Sequence, residues 1–429
     1  MRLPPAVLAS LVAFSLSSAA APAPTPPPAN WPQWRGPAND GVSTETNVPT
    51  KWGEKDNIAW KLKLPGMGGS TPAVWGDRIF LTTQDEGGIA LMCVGTDGKE
   101  LWRRPVGPGG RDKLGPGRDE ANGASASPST DGKHVWAFAG SGELACFDFD
   151  GKEEWKFNVQ DRYGKFQMQW GFHSTPLLDG DRLYLQLFHT GAHLVVALNK
   201  DDGKEVWKVE RKSDGTAECE QSYASPMMWR KGKDAYLIVH GDDYATAHRL
   251  DDGSEIWRVG GLNPKDSYNK TLRFVATPLA TVDLIVVLSA KNGPVVGVKP
   301  DASGLVEADS KYEEWRRPHE TPDVPSPLIY DGLLYLCREN GALICMDAKT
   351  GKEYFNQRIH AARYRASPVF ADGNIYLTAR DGTVTVVKAG TKFEEVAVNK
   401  LPDEISASPV VCGGRIYLRG FDALYAIGR

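Results

Sequence analysis

Neither sign of charge prevails: 50 Lys and Arg stand against 54 Asp and Glu in 429 residues, a formal net charge of −4. That balance excludes the basic footprint of a nucleic-acid-binding surface. Cysteine is sparse, and its six residues form no Cys-x-x-Cys, no Cys-x-x-Cys-His and no adjacent pair, which argues against a haem attachment or a disulfide framework. Walker loops, dinucleotide-binding glycine fingerprints and a Ser-His-Asp set in the required strand–helix context are all missing. Long apolar runs are missing too, apart from Leu3 to Ala21. What is plentiful is glycine (45), proline (29) and tryptophan (13), a mixture that suits many turns and aromatic packing better than long helices.

The apolar run follows Met1-Arg2, contains Pro4 and Pro5 and ends in the small residues Ser17-Ser18-Ala19-Ala20-Ala21. It reads as a secretory signal peptide over 1–21 and not as a membrane anchor. Residues 22–30 are too rich in proline for helix or ladder and form an extended linker. The expectation is an exported protein, periplasmic or extracellular, monomeric, with no transmembrane segment and a folded body over 31–429.

That body repeats. A Ser-Pro or Thr-Pro pair recurs at Pro72, Pro128, Pro176, Pro226, Pro278, Pro327, Pro368 and Pro409, at intervals of 41 to 56 residues. The clearest unit begins at Ser326 and reads as four short strands separated by turns at Asp331-Gly332, Asn340-Gly341 and Thr350-Gly351. Eight such units predict an all-β fold, an eight-bladed β-propeller of four-stranded antiparallel blades. Proline is tolerated at the start of an innermost strand because one side of that strand faces the channel unpaired. A second anchor follows each third strand, an Asp-Gly turn and then Trp102, Trp155, Trp207 or Trp257; the turn supplies positive φ and the indole has a fixed reach over that turn or a neighbouring blade. Phe355 replaces the Trp in unit six, Trp315 serves an irregular fifth unit, and the seventh loses the pattern. The eighth unit ends after three strands, so residues 57–62, which carry the ending of an outer strand, are predicted to close the ring.

The Ala/Cys-x-Asp-x-x-Thr-Gly-Lys-Glu pattern, fullest at Cys345-Met-Asp347-Ala-Lys-Thr350-Gly351-Lys352-Glu353, resembles the pyrroloquinoline quinone (PQQ) repeat. That repeat builds eight-bladed propellers in quinoprotein dehydrogenases and in the outer-membrane-protein assembly factor BamB. The opening Trp31-Pro-Gln-Trp-Arg-Gly36 and the stretch from Asn57 to Thr83 look like exported PQQ-like propellers of planctomycete-type bacteria. The resemblance covers nearly all of 30–429 and implies a fold more than an activity. For a dehydrogenase it implies PQQ with Ca²⁺, an adjacent Cys-Cys disulfide and Glu, Asn and Asp ligands. This chain has no adjacent cysteines and no matching ligand set, so no catalytic residue is carried over. It also lacks the lipidated N-terminal Cys of BamB.

Loops entering the inner strands of a propeller converge on one end of its channel. On these loops lie Trp170, His173, Glu220, Tyr223, Arg273, His319, Arg363, Tyr364 and Arg365, a mixture of aromatic, cationic and acidic groups suited to a planar anion or a protein segment. Arg118 to Asn122, Gln169, Glu218, Glu320, Asp403 and Glu404 belong to the same loops, and solvated rim residues or interblade ion pairs would give the same pattern. His189 and His193 flank a hairpin turn and, with His173, His240 and Glu220 or Asp242, would suit Zn or Cu. Their spacing matches no metal signature, so no metal is expected. Cys93, Cys146 and Cys345 occupy the position of Ala197 and Ala247 and read as core residues; Cys337 and Cys345 flank one turn on a diagonal, and their bonding is left open. The leading expectation is a non-catalytic scaffold in the cell envelope that binds a small molecule or protein at the channel mouth, without a cofactor. The alternative is a PQQ-dependent oxidoreductase acting on alcohols or sugars, with its quinone over Trp170 and held by Arg273, Arg363 or Arg365.

Overall fold

The computed structural model describes Met1 and residues 30–109 and 122–428. The expected leader, nearly all of the linker, and Arg118 to Ala121 lie outside the described residues. The rest forms eight sheets, each with its inner strand on the channel, and together they make the predicted eight-bladed propeller. Blade 1 spans 73–107, blade 2 129–158, blade 3 177–210, blade 4 227–259, blade 5 279–317, blade 6 328–358 and blade 7 369–400. Blade 8 takes three strands from 410–427, and its fourth is Ile58–Lys63, antiparallel to Ala423–Ile427. The ring therefore closes as its missing strand requires.

The Ser/Thr-Pro pairs explain the inner circumference. Proline pushes the preceding residue into extended backbone, and there that residue's own N–H needs an acceptor. In every blade it donates to the hydroxyl of the equivalent Ser or Thr in the next blade. Thr71 bonds Ser127, Ser127 bonds Thr175, Thr175 bonds Ser225, and Ser225 bonds Thr277. Thr277 then bonds Ser326, Ser326 bonds Ser367, Ser367 bonds Ser408, and Ser408 returns to Thr71, all eight links at 2.9–3.1 Å. The motif is thus a circular hydrogen-bond belt between blades.

Tryptophan makes a second belt outside it. The indole N–H of Trp60 donates to Thr96 O, Trp102 to Phe149 O, Trp155 to Lys200 O, Trp207 to Leu250 O and Trp315 to Ala348 O, at 2.8–3.1 Å and always into the turn of the following blade. Each ring lies against that turn's glycine: a Cβ at Gly98, Gly151, Gly203, Gly253 or Gly351 would sit 2.6–3.0 Å from the indole, and each of these glycines has positive φ. Only glycine meets both demands. Opposite Trp60, Trp102, Trp155, Trp207 and Trp315 stand the small residues Ala426, Cys93, Cys146, Ala197 and Gly297 of the third strand, which give each ring its room. Phe355 keeps the contact without the hydrogen bond, edge-on to Phe393 of blade 7 at 5.8 Å.

Blade 5 breaks the series. Its turn has no glycine in the docking position, and the Trp257 indole N–H makes no hydrogen bond among the described residues. The short strand Gly304–Val306 instead adds to blade 4, parallel to Glu255–Val259, giving that sheet a fifth strand. Blade 7, whose repeat pattern fades in the sequence, still forms its outer strand, Glu395–Lys400. All six cysteines are buried; Cys337 is in register with Leu343 and Cys345 with Tyr335, so the two are not paired with each other and pack as core residues.

The segment 31–43 belongs to no blade and crosses the channel. Trp31 bridges to Val74 of blade 1, Pro32 O accepts from Thr130 N of blade 2, and Asn39 reaches Met227 of blade 4. Arg35, fully buried, donates to Pro327 O beside blade 6, and Val42 bridges to Phe370 of blade 7. One end of the channel is stoppered by the chain itself.

Candidate functional site

Above that stopper the channel widens into a cavity of about 270 Å³. Trp34 forms part of its floor, and the eight Ser and Thr hydroxyls of the inner belt form a collar. Each hydroxyl oxygen already accepts a backbone N–H, so the remaining capacity it offers includes its own proton. Around the rim stand Asn122, Trp170, His173, Tyr223, Arg273, Arg363, Arg365 and Arg380. Among the described residues no carboxylate lines the cavity.

Short local contacts fix the rim. Glu218, in the 3₁₀ turn Ala217–Glu220, receives the Trp170 indole N–H at 3.3 Å and pairs with Arg273 at 3.2 Å, so Arg273 stands 5.6 Å over the Trp170 ring. Arg380 donates to Ser406 Oγ at 2.8 Å and pairs with Glu404 at 3.1 Å. His173 Nε2 lies 2.6 Å from Trp170 O, and the Tyr223 hydroxyl donates to Gln221 Oε1 at 2.9 Å. Burial pushes the Tyr223 phenol above its ordinary range and keeps it neutral. Burial likewise raises Asp323, next to the lining residue Val324, against the opposing charges of Arg273 and Arg365.

Six of the nine residues singled out in the sequence meet at this cavity: Trp170, His173, Tyr223, Arg273, Arg363 and Arg365. Three do not. Tyr364 has no exposed surface and packs with Leu328, Tyr335, Leu343 and Phe370, because side chains alternate along the extended Arg363-Tyr364-Arg365 segment and the tyrosine takes the core side. Glu220 ends the turn from which Glu218 reaches the rim, and it stays outside the lining; His319 is exposed beside the Arg317–Glu320 pair. Trp34 and Arg380 were missed. The first lies in the stopper, which follows no repeat, and the second opens an ordinary Asp-Gly turn two residues after the strand Asn374–Thr378. The collar was visible as a motif but was read as a strand-edge signal.

The histidines do not gather. His173 is at the cavity, whereas His193 Nδ1 meets Asp242 at 3.0 Å between blades 3 and 4, where Arg211 pairs with the same carboxylate at 3.1 Å. Burial pushes Asp242 up, but His193 and Arg211 outweigh it and hold the carboxyl below its ordinary range. No group of three or more metal-ligating side chains occurs among the described residues. The Ca²⁺ that the resemblance to the dehydrogenases implies does not fit the described lining: such a hard cation takes oxygen ligands with carboxylates among them, whereas four arginines and no carboxylate line the cavity and Glu218 and Glu404 at the rim pair with arginines.

The sequence profile described as outer membrane protein assembly factor BamB matches residues 91–336 and 302–392. No curated protein matches the chain in sequence. Among solved structures, BamB from Moraxella catarrhalis is similar at 13% identity and TM-score 0.61, covering 87% of this chain and 99% of its own. A quinohemoprotein alcohol dehydrogenase from Comamonas testosteroni gives 12% and 0.70 over 93% of this chain and 81% of its own. A europium-containing methanol dehydrogenase gives 14% and 0.68 over 93% and 89%. At such identities the likeness is one of fold.

Proposed function

We propose, since the chain belongs to the family of the outer membrane protein assembly factor BamB, that it is an exported, non-catalytic binding propeller whose channel mouth holds a small oxyanion. One observation carries this reading: four guanidinium groups and eight hydroxyls converge on a single cavity whose described lining has no carboxylate. Guanidinium groups present paired donors that match carboxylate or phosphate oxygens, and a concave wall concentrates their field. Trp34 and Trp170 offer aromatic surface to the uncharged part of such a ligand. Among the described residues the collar hydroxyls accept backbone N–H groups, and His173 lies on a backbone carbonyl, which favours binding over nucleophilic chemistry. The leader read over 1–21 supports export.

Titration of the purified protein with benzene-1,3,5-tricarboxylate, followed by tryptophan fluorescence and calorimetry, tests the reading. We expect one saturable site, weakened by salt, with at least tenfold loss of affinity in Arg365→Ala. Equal affinity for the neutral triamide, or no binding at all, would overturn it. Reduction of a dye with an alcohol or sugar after loading with PQQ and Ca²⁺ would overturn its non-catalytic part.

A further inference from the structure

Behind the cavity wall lies a charge without a hydrogen-bond partner among the described residues. Arg419 ends the strand Arg415–Arg419 of blade 8 with 0% of its surface exposed, and none of its three guanidinium nitrogens makes a hydrogen bond. Asp403 is the charge that acts on it, yet the Asp403 carboxylate is taken by the N–H groups of Phe421, Asp422 and Ala423 and by the Tyr425 hydroxyl. A buried guanidinium held only by the field of Asp403, without a hydrogen bond, is costly, and an apolar side chain of similar volume would serve the fold at least as well.

Its position suggests a use. The Arg419 guanidinium packs against Gly68, where a Cβ would stand 2.2 Å from Nη2 and 2.4 Å from Nη1. Gly69, the next residue, lines the cavity. Gly68 thus touches the buried charge and its neighbour Gly69 touches the cavity, and neither carries a side chain. Water screens the charges of partly exposed rim groups, and Arg273 and Arg380 are further offset by Glu218 and Glu404. Burial leaves the Arg419 field far less screened.

Resting on the reading of the mouth as an oxyanion site, we infer that Arg419 is its fifth cation, a specificity-determining residue that acts through the Gly68-Gly69 wall and favours multiply charged ligands. Its contribution should grow with ligand charge, since the energy of a charge in a fixed field is proportional to that charge.

The experiment compares benzene-1,3,5-tricarboxylate with benzoate on wild type, Arg365→Ala and Arg419→Met. In Arg419→Met the Kd for the tricarboxylate should rise at least fivefold and that for benzoate less than twofold, while the melting temperature holds or increases. Unchanged tricarboxylate affinity in Arg419→Met, with Arg365→Ala still impaired, overturns this inference alone. A lower melting temperature with equal losses for both ligands marks a structural residue and overturns it too. If wild type binds neither ligand, the mouth reading itself has failed. Should Arg419→Met not fold, Arg419→Lys keeps the charge and must bind the tricarboxylate within twofold of wild type; a loss above fivefold refutes the role.

Discussion

Replacing Trp207 by Ala removes one rivet of the outer belt, and the structure sets the scale of the loss. The side chain is only 7% exposed, donates to Leu250 O of blade 4 at 2.8 Å, and packs against Tyr184 and Gly253. An indole buries about 200 Å², which at about 25 cal/mol per Å² corresponds to about 5 kcal/mol. Substitutions of this kind measure about 3–5 kcal/mol because the site relaxes in part. Trp207→Phe separates the two components: it keeps the ring and should cost about 1 kcal/mol for the hydrogen bond. The molecule already contains that variant, since Phe355 holds blade 6 to blade 7 by its ring alone. Trp155, more exposed and with a longer 3.1 Å bond, should lose less than Trp207 on the same change to Ala. Urea unfolding followed by circular dichroism gives the three values. A Trp207→Ala variant within about 0.5 kcal/mol of wild type, the range of ordinary surface changes, would refute the belt as a source of stability.

The inner belt predicts that Thr71→Val, which leaves the buried Ser408 N–H without its acceptor, costs about 1–3 kcal/mol; Ser254→Ala on an exposed turn is the control, and equal urea midpoints would remove the belt's role. Acid should destabilise the fold through three histidines buried in neutral form. Burial lowers His189 to about 4, His240 to about 3 and His248 to about 4. The unfolded chain takes up these protons near its ordinary histidine pKa of about 6.5 while the folded one does not, so stability is complete above that pH and falls below it, by about 1.4 kcal/mol per pH unit for each histidine. The loss levels off once the folded-state values are passed. Urea midpoints between pH 7 and 5 measure it, and His240→Leu should remove about one third of the slope; a flat profile would contradict the burial of these rings as neutral bases.

The fold was legible because each of its rules is written eight times. Ser/Thr-Pro, the Asp-Gly turn and the following Trp are local patterns with local causes, and repetition makes each visible without any knowledge of contacts. Even the closing strand could be inferred, from an eighth unit one strand short and an orphan outer-strand ending at Trp60. Blade 5 is legible only as irregular, since nothing in the sequence says that Gly304–Val306 joins blade 4. The site was legible by halves. Loops that converge by symmetry could be named in advance, but which side chain of a loop faces the cavity depends on alternation within a few residues. Hence Arg363 and Arg365 reach it while Tyr364 turns to the core. Trp34 and Arg419 were beyond sequence reasoning, because a stopper and a charge behind a glycine wall are relations between segments hundreds of residues apart.

The closure of the ring imposes an order on the birth of the molecule. Glu45 accepts from the N–H groups of Gly413 and Gly414, and Ile58–Lys63 pairs with Ala423–Ile427, across separations of 360 residues or more. A ribosome makes the N-terminal member of each pair first and its partner last. Seven blades can in principle form as they emerge, each on the edge of the one before, while the earliest-made strand waits with its backbone unsatisfied. The entropy of joining ends so distant rises only slowly with their separation, so the delay is one of synthesis and not of thermodynamics. Until the final turn of blade 8 is made, the chain is an open arc with two sticky ends. The hazard of pairing with a neighbouring copy is greatest in that interval, and it ends when the first-made strand is placed last.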